Sequence, residues 1–437
     1  MTRNDWRLAA FGAAQLALFA AIAVLLAGRP PGNPGPAHTL AVVAIEIAAG
    51  ATWLGACLTV RRGPAPRFAL PLALGVALGM RALLLPGPPP LSSDLYRYVW
   101  DGRVAARGIN PYRYRPADPA LAFQRDRTVF PRINRAATAR TIYPPAAEIF
   151  FRLAATLAPG VTGMKLALAA CDLGVIAALI ALLRRIGRPA AEVLVYAWAP
   201  MPALEFAGNG HVDALAALFV ALALLAASGR RDALAGMALG AAALVKFLPA
   251  AIAPAFRRRG AWRLPLVFAA TVALLYLPYL GAGRHVLGFL PGYARQEGLL
   301  SGRGVFLLDL IARLSGHPPP RWAGLAYAAA LALLLGFLAL RFGLDAPLPA
   351  APGPRVAAIA RPAALLGAVL LVGIAPHYPW YFGWLAPLVC LVPAPALLWL
   401  IAASPGLTLD PAHHVWIAAL VYLPAAALAA TAWGRSA

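Results

Sequence analysis

The chain has 437 residues, 61% of them hydrophobic and only 12% charged, with a mean hydropathy of +0.72. A soluble domain carries about a quarter charged residues, so this composition excludes a soluble protein and assigns the chain to lipid. The formal net charge of +22 is not a nucleic-acid signature: all but two of the 38 basic residues are arginines, scattered between apolar runs. A GC-rich codon bias and the anchoring of cytoplasmic loops account for that pattern.

In chain order, apolar runs predict about eleven spans, at 7–27, 39–60, 68–86, 162–184, 190–207, 211–228, 262–281, 321–341, 356–376, 382–402 and 412–433. Each approaches the roughly 20 residues that cross a 30 Å hydrocarbon core as helix. The predicted fold is therefore an all-α polytopic membrane helix bundle. The first run is too long for a signal peptide and lacks a small-residue cleavage site, so it reads as a retained helix. Cys57, Cys171 and Cys390 all fall inside apolar runs and read as small core residues.

Short loops set the orientation. Arg3 and Arg7 precede the first span, Arg61, Arg62 and Arg67 join the second and third, and Arg184, Arg185 and Arg188 join the fourth and fifth. Arg230 and Arg231 follow the sixth, whereas the opposite short loops hold only Arg29. That asymmetry puts the N-terminus in the cytoplasm and two long segments, 87–161 and 282–320, outside. The first of these carries eleven arginines between Arg97 and Arg152, but long loops translocate largely regardless of charge.

Residues 232–256 are long enough to span, yet Arg257, Arg258, Arg259 and Arg263 would then lie outside. A re-entrant hairpin broken near Lys246-Phe247-Leu248-Pro249 keeps them cytoplasmic, because proline removes a backbone donor and ends the helix there. The hairpin is the preferred reading.

The segment from Ser92 to Tyr112 carries the chemistry. Ser92 or Ser93 can cap a helix, and Gly108-Ile109-Asn110-Pro111 stops it. Within it Asp94, Tyr98 and Asp101 recur at four and three residues and share one face, and Arg97 is placed to pair with Asp101. The helix is amphipathic and is expected to lie along the membrane interface. Carboxylates among arginines and tyrosines at a membrane surface suit glycosyl transfer. A base takes the acceptor hydroxyl's proton, and a departing phosphate needs only positive charge around it. On spacing alone, an interfacial helix with solvated charges and no chemistry is the favoured reading.

The string from Ser93-Asp94-Leu95-Tyr96-Arg97-Tyr98 to Gly108-Ile109-Asn110-Pro111-Tyr112, closed by Tyr143-Pro144-Pro145, resembles the polyprenol-dependent glycosyltransferases of the C superfamily. It is most similar to the bacterial phosphatidylinositol-mannoside mannosyltransferases and the catalytic subunit of GPI mannosyltransferase I. The similarity runs over about 68–390, through Asn209-Gly210-His211-Val212-Asp213, Leu244-Val245-Lys246 and His377-Tyr378-Pro379-Trp380-Tyr381. It implies a catalytic core at 68–390, followed by a C-terminal transmembrane region at 391–437; the two accessory helices in 1–67 depart from the family's pattern and have no assigned role. It also implies an inverting transfer of a hexose, mannose first, from a polyprenyl-phosphate sugar to a lipid or glycan acceptor. Asp94 would be the base. The setting would be the periplasmic face of a bacterial inner (cytoplasmic) membrane.

Substrate-binding candidates are Arg97, Tyr98, Asp101, Arg103, Tyr112 and Tyr143 in the first outer loop, with Asn209, His211, Asp213, Lys246, His377, Trp380 and Tyr381 beyond it. Glu205, Asn209, His211 and Asp213 form an outer turn that either holds acceptor or phosphate, or simply starts the next helix with Asn209 as its cap. A His-x-Asp pair is too little to claim a metal; no cofactor is called for, and a divalent cation is left open. Lys246 sits at a depth where charge is costly. It contacts the donor phosphate, snorkels, or pairs with Asp172 or Glu205. The aromatics of 377–384 form either an interfacial belt or a sugar-stacking wall. His285, Arg295, Glu297 and Arg303 are weaker phosphate or sugar contacts. The alternatives are a transporter or flippase of a lipid-linked sugar, which would not need paired acids on a surface helix, and an inactive scaffold.

Overall fold

The computed structural model describes residues 3–61, 68–257, 261–296, 304–344, 347–409 and 415–434. Arg62, Arg67, Arg258, Arg259, Glu297 and Arg303, singled out above, lie outside the described residues. The described residues form helices and turns with no strand. In chain order the main helices are α1 (Arg3–Leu26), α2 (Pro36–Arg61), α3 (Ala69–Leu84), α4 (Asp94–Ala106), α5 (Pro145–Leu157), α6 (Val161–Arg185), α7 (Asp213–Ser228) and α8 (Asp232–Ala243). There follow α9 (Arg263–Tyr276), α10 (Phe306–Ser315), α11 (Ala323–Gly343), α12 (Pro352–Ile374), α13 (Pro395–Ala403) and α14 (Val415–Gly434). Six described helices are long and apolar enough to cross a membrane. They are α1, α2, α6, α11, α12 and the run Arg263–His285 that continues α9.

Two expected spans are not single helices. Residues 190–208 break into a 3-10 turn, helical pieces at Leu194–Ala197 and Pro200–Pro202, and a π turn at Ala203–Gly208. Prolines 189, 200 and 202 withdraw backbone donors, and side chains from elsewhere make up the loss. Trp53 Nε1 donates to Val195 O at 3.1 Å, and Arg81 Nη1 donates to Ala197 O at 2.6 Å. Arg81 is itself held by a buried carboxylate, its Nε donating to Asp172 Oδ2 at 2.7 Å, and the Tyr196 hydroxyl donates to Asp172 Oδ1 at 2.6 Å. The second interrupted span, 382–402, divides at Val392–Ala394 between Ala386–Leu391 and α13.

Residues 232–256 form a hairpin, as preferred. Helix α8 stops at Ala243, a 3-10 turn runs Leu248–Ile252, and the return arm ends at Ala253–Phe256 against α11 and α12. Both ends lie at one end of the bundle. Arg355 in the first turn of α12 donates to Asp232 Oδ1 at 3.2 Å, and Arg257 lies beside Gly343, the last residue of α11. The other basic loops meet there too: Arg61 and Arg188 both reach Glu192, and the Arg185 guanidinium lies on Gly229.

The tip of the hairpin docks at the opposite end. Leu244 O accepts the backbone N–H groups of Ala146 and Ala147 at 2.9 and 3.3 Å, satisfying the start of α5 that helix geometry leaves unpaired. Helix α4 packs along α5 so closely that a Cβ at Gly102 would sit 2.3 Å from Phe151 O. Leu95 through Gly102 are all buried. The amphipathic helix is present, then, but protein covers both its faces. Its apolar side lies against α5 and α6 and the loop 107–144 lies over the rest.

Candidate active site

At the end of the bundle away from the basic short loops, a cavity of about 520 Å³ opens between α4, the loop 134–144, the hairpin tip and residues 374–381. Its floor is set by two anchors on the loop after α3. Lys165 Nζ donates to Leu84 O and Gly87 O at 3.1 and 3.0 Å, capping α3, and Asn209 Oδ1 accepts Leu91 N at 2.9 Å. Together they fix where α4 begins, and so where Asp94 sits. Ser93 occupies the N-cap without a side-chain bond, while Ser92 Oγ accepts the Asp94 N–H at 3.2 Å.

Asp94 is the only carboxylate among the described residues lining the cavity, which also presents Arg97, Arg135, Arg140 and Lys246. Asn134 Nδ2 donates to Asp94 Oδ1 at 3.2 Å. Burial pushes the Asp94 carboxyl above its ordinary value, and Lys246, the Asn134 bond and Arg135 pull it back. Its neighbour Arg135 holds a left-handed backbone at φ 55°, uncommon for a side chain with a Cβ, of the kind that concentrates at binding sites. Neither Asn134 nor Arg135 stood out in sequence, since both lie in an irregular arginine-rich loop without periodicity.

Of the residues expected at the site, Asp94, Arg97, Tyr98, Tyr143, Lys246, His377, Trp380 and Tyr381 line this one cavity. The others stand behind it or away from it. Asp101 is buried and takes the Arg97 Nε–H on both oxygens, at 2.9 and 2.8 Å. Nearby, Glu148 accepts the Thr141 hydroxyl at 2.6 Å, and burial together with the charge of Asp101 holds its carboxyl well above the usual range. Tyr112 donates to Tyr143 O at 2.6 Å and packs on Tyr279, so it braces the wall rather than facing the cleft. Arg103 points elsewhere, into an ion pair with Asp126.

Lys246 is neither snorkelling nor paired with Asp172 or Glu205. Its Nζ lies 2.9 and 3.0 Å from the two oxygens of Asp213, and 3.9 Å from the centre of the Tyr381 ring. Asp172 is taken by Arg81, and Glu205 Oε2 accepts Asn209 Nδ2 at 2.9 Å. Asn209 does not cap α7, whose N-cap is Val212. His211, fully buried, stacks on Trp380 with centroids 4.0 Å apart, and Trp380 stacks on Tyr378 at 4.4 Å. The turn 205–213 therefore holds the lysine and the aromatic wall from behind. That wall is a built surface, closed by a hydroxyl contact of 2.6 Å between Tyr293 and Tyr381. His285 and Arg295 do not line the cavity. Among the described residues no three of His, Cys, Asp and Glu gather as a metal site.

One carboxylate, four cations and a row of aromatic faces thus line a single cleft. The family model described as "Alpha-(1->6)-mannopyranosyltransferase, N-terminal domain" matches residues 8–258, more than half of the chain. The chain belongs to this family. It is a mannosyltransferase of the C-superfamily type. The matched region includes most of α1 and all of α2 as well as Asp94, Asn134, Asp213 and Lys246, and it ends before the aromatic wall at 377–381. No curated protein and no solved structure matches the chain.

Proposed function

We propose that this mannosyltransferase takes mannose from a polyprenyl-phosphate mannose and passes it to a hydroxyl of a lipid or glycan acceptor at the periplasmic face of a bacterial inner membrane. Asp94 is the general base. The observation that carries this reading is that, among the described residues, Asp94 is the only carboxylate lining the cavity, beside four cationic side chains. A hydroxyl is a poor nucleophile until a base removes its proton, whereas a phosphate leaves without protonation if its developing charge is met. A single carboxylate with a basic cradle does both tasks. Among the described residues no second carboxylate lines the cleft as a nucleophile, which favours single displacement with inversion.

Lys246 is placed to take the donor phosphate, with Arg97, Arg135 and Arg140 as further donors around the mouth. Asp213 holds the ammonium in place. Sugar faces stack on Trp380, Tyr381 and Tyr378. The family is described by an α-(1→6) linkage, so the acceptor hydroxyl is the primary one of a hexose. An α product by inversion requires a β-linked donor. Reconstituted protein given radiolabelled polyprenyl-phosphate mannose, glucose or arabinose with membrane lipids tests the donor. Mannose alone should appear in product. Transfer from a nucleotide-mannose and none from the lipid donor overturns the reading.

A further inference from the structure

A second cavity, of about 1080 Å³, lies at the other end of the bundle and shares no lining residue with the catalytic one. It is a groove between α6, α7, α8 and α9. Its bed is apolar, with Leu222, Leu234, Met237 and Leu274 large, exposed and facing it. At its rim stand Arg184 and Arg185, the last residues of α6, and Arg231, just before α8. All three are exposed, and Arg185 is held in place by packing. The Arg185 guanidinium lies flat over Gly229, where a Cβ would come within 3.2 Å of it, and that glycine brings it alongside the turn that carries Arg231. None of the described carboxylates forms an ion pair with any of the three, and the adjacent Asp232 is taken by Arg355.

An apolar bed rimmed by three arginines, at the end of membrane-spanning helices, matches an amphiphile with an anionic head. Three like charges brought together cost repulsion that an anion relieves, and guanidinium forks suit phosphate oxygens. The volume is at the upper end of the roughly 300–1,000 Å³ of small-molecule sites. We propose that this groove is a binding site for an anionic phospholipid from the leaflet at the short-loop end. The phosphate would rest on Arg184, Arg185 and Arg231, with an acyl chain along α7, α8 and α9. A zwitterionic lipid could fill the bed but would bring an ammonium to a rim that is already cationic, so the site discriminates by headgroup. This site is independent of the donor and acceptor of the reaction.

The test is native mass spectrometry of the full-length protein released from mixed micelles holding equimolar phosphatidylglycerol and phosphatidylcholine. Retention of phosphatidylglycerol about tenfold above phosphatidylcholine is expected for the wild type. The triple variant Arg184→Gln, Arg185→Gln, Arg231→Gln should bring the two to parity. Ala181→Trp, which fills the groove from its exposed wall and keeps all three charges, should lose phosphatidylglycerol retention. The control pair Arg29→Gln, Arg321→Gln, exposed and outside the groove, should keep the wild-type preference. Inorganic phosphate in excess over lipid should leave retention unchanged, because it lacks the chain. Equal retention of the two lipids by the wild type overturns the proposal. So does a preference that survives both the triple variant and Ala181→Trp, or displacement of the lipid by phosphate.

Discussion

Asn134 Nδ2 reaches Asp94 Oδ1 at 3.2 Å across 40 residues of chain, tying the outer loop to the first turn of α4. That bond engages one carboxylate oxygen, and it is among the interactions that draw the Asp94 carboxyl back down from the elevation that burial imposes. A base works only when deprotonated, so activity should fall as pH drops through this raised value. Removing the bond in Asn134→Ala removes a lowering influence. The acidic limb of the kcat/KM profile is expected to move to higher pH, with transfer recovering as pH rises. A limb that stays in place, or moves the other way, would show that Asn134 does not act through Asp94.

Asp94→Asn keeps size and polarity but cannot accept a proton. General-base catalysis is worth about 10²- to 10⁴-fold, so transfer should fall to a few per cent of wild type or below. Thermal stability in detergent should stay near wild type, since Asp94 is only part-buried and its carboxylate accepts a side-chain hydrogen bond from the neutral Asn134 amide. Transfer above that level would remove Asp94 as the base.

Lys246 and Asp213 invite a two-step test. Lys246→Met removes the cation proposed for the donor phosphate, and loss of one such donor costs about 10²- to 10³-fold. Lys246→Arg, which keeps the charge, should retain more activity. Lys246→Met also strands the fully buried Asp213 carboxylate, and breaking a buried pair costs about 3–5 kcal/mol. Adding Asp213→Asn to Lys246→Met should therefore restore the melting temperature but not the transfer. If both return together, Lys246 is a structural partner of Asp213 and not a phosphate ligand.

The parts of this molecule that were legible in sequence are those set by local pattern. Apolar length located most spans, and a run from Asp94 to Tyr112 located the cavity's main wall. Lys246 announced itself because charge at that depth is costly, and Pro249 with the flanking arginines announced the hairpin. What stayed hidden depends on partners distant in the chain. The apolar run 190–207 reads as one helix, because nothing local tells that Trp53 and Arg81 serve its freed carbonyls. The same holds for the pairing of Lys246 with Asp213, 33 residues away, and for Asn134, an ordinary residue in an irregular loop. Helix α4 reads as interfacial because its charges are plain in sequence, while the loop that covers them is not.

Sidedness has a direct readout. Ala120 is exposed in the loop 107–144, proposed to face outward, and all three native cysteines are buried, so Ala120→Cys supplies a single accessible thiol. In spheroplasts it is expected to react with an impermeant maleimide without lysis. Labelling that requires lysis would place the cavity in the cytoplasm, and a nucleotide-sugar donor would then replace the lipid-linked one.

Gly102 tests whether the close approach of α4 to α5 sets the geometry of the site. A methyl group there would meet Phe151 O at 2.3 Å, a backbone atom of the neighbouring helix that cannot rotate aside. Gly102→Ala must therefore push α4 away from α5, and overpacking of this kind costs about 1–3 kcal/mol. Helix α4 also carries Asp94 and Tyr98, so its displacement moves the base relative to Lys246 on the hairpin tip, which is docked on α5 through Leu244. A misplacement of about 1 Å costs on the order of 10²-fold in rate. Gly75→Ala in α3, where an added methyl meets nothing within 4 Å, is the control and should leave stability and transfer unchanged or slightly raised. The expected signature of Gly102→Ala is a fall in kcat larger than the loss of melting temperature alone explains. A variant that loses stability but keeps wild-type kcat below its melting transition would show that the α4–α5 contact serves folding and leaves the position of Asp94 to the loop anchors at Lys165 and Asn209.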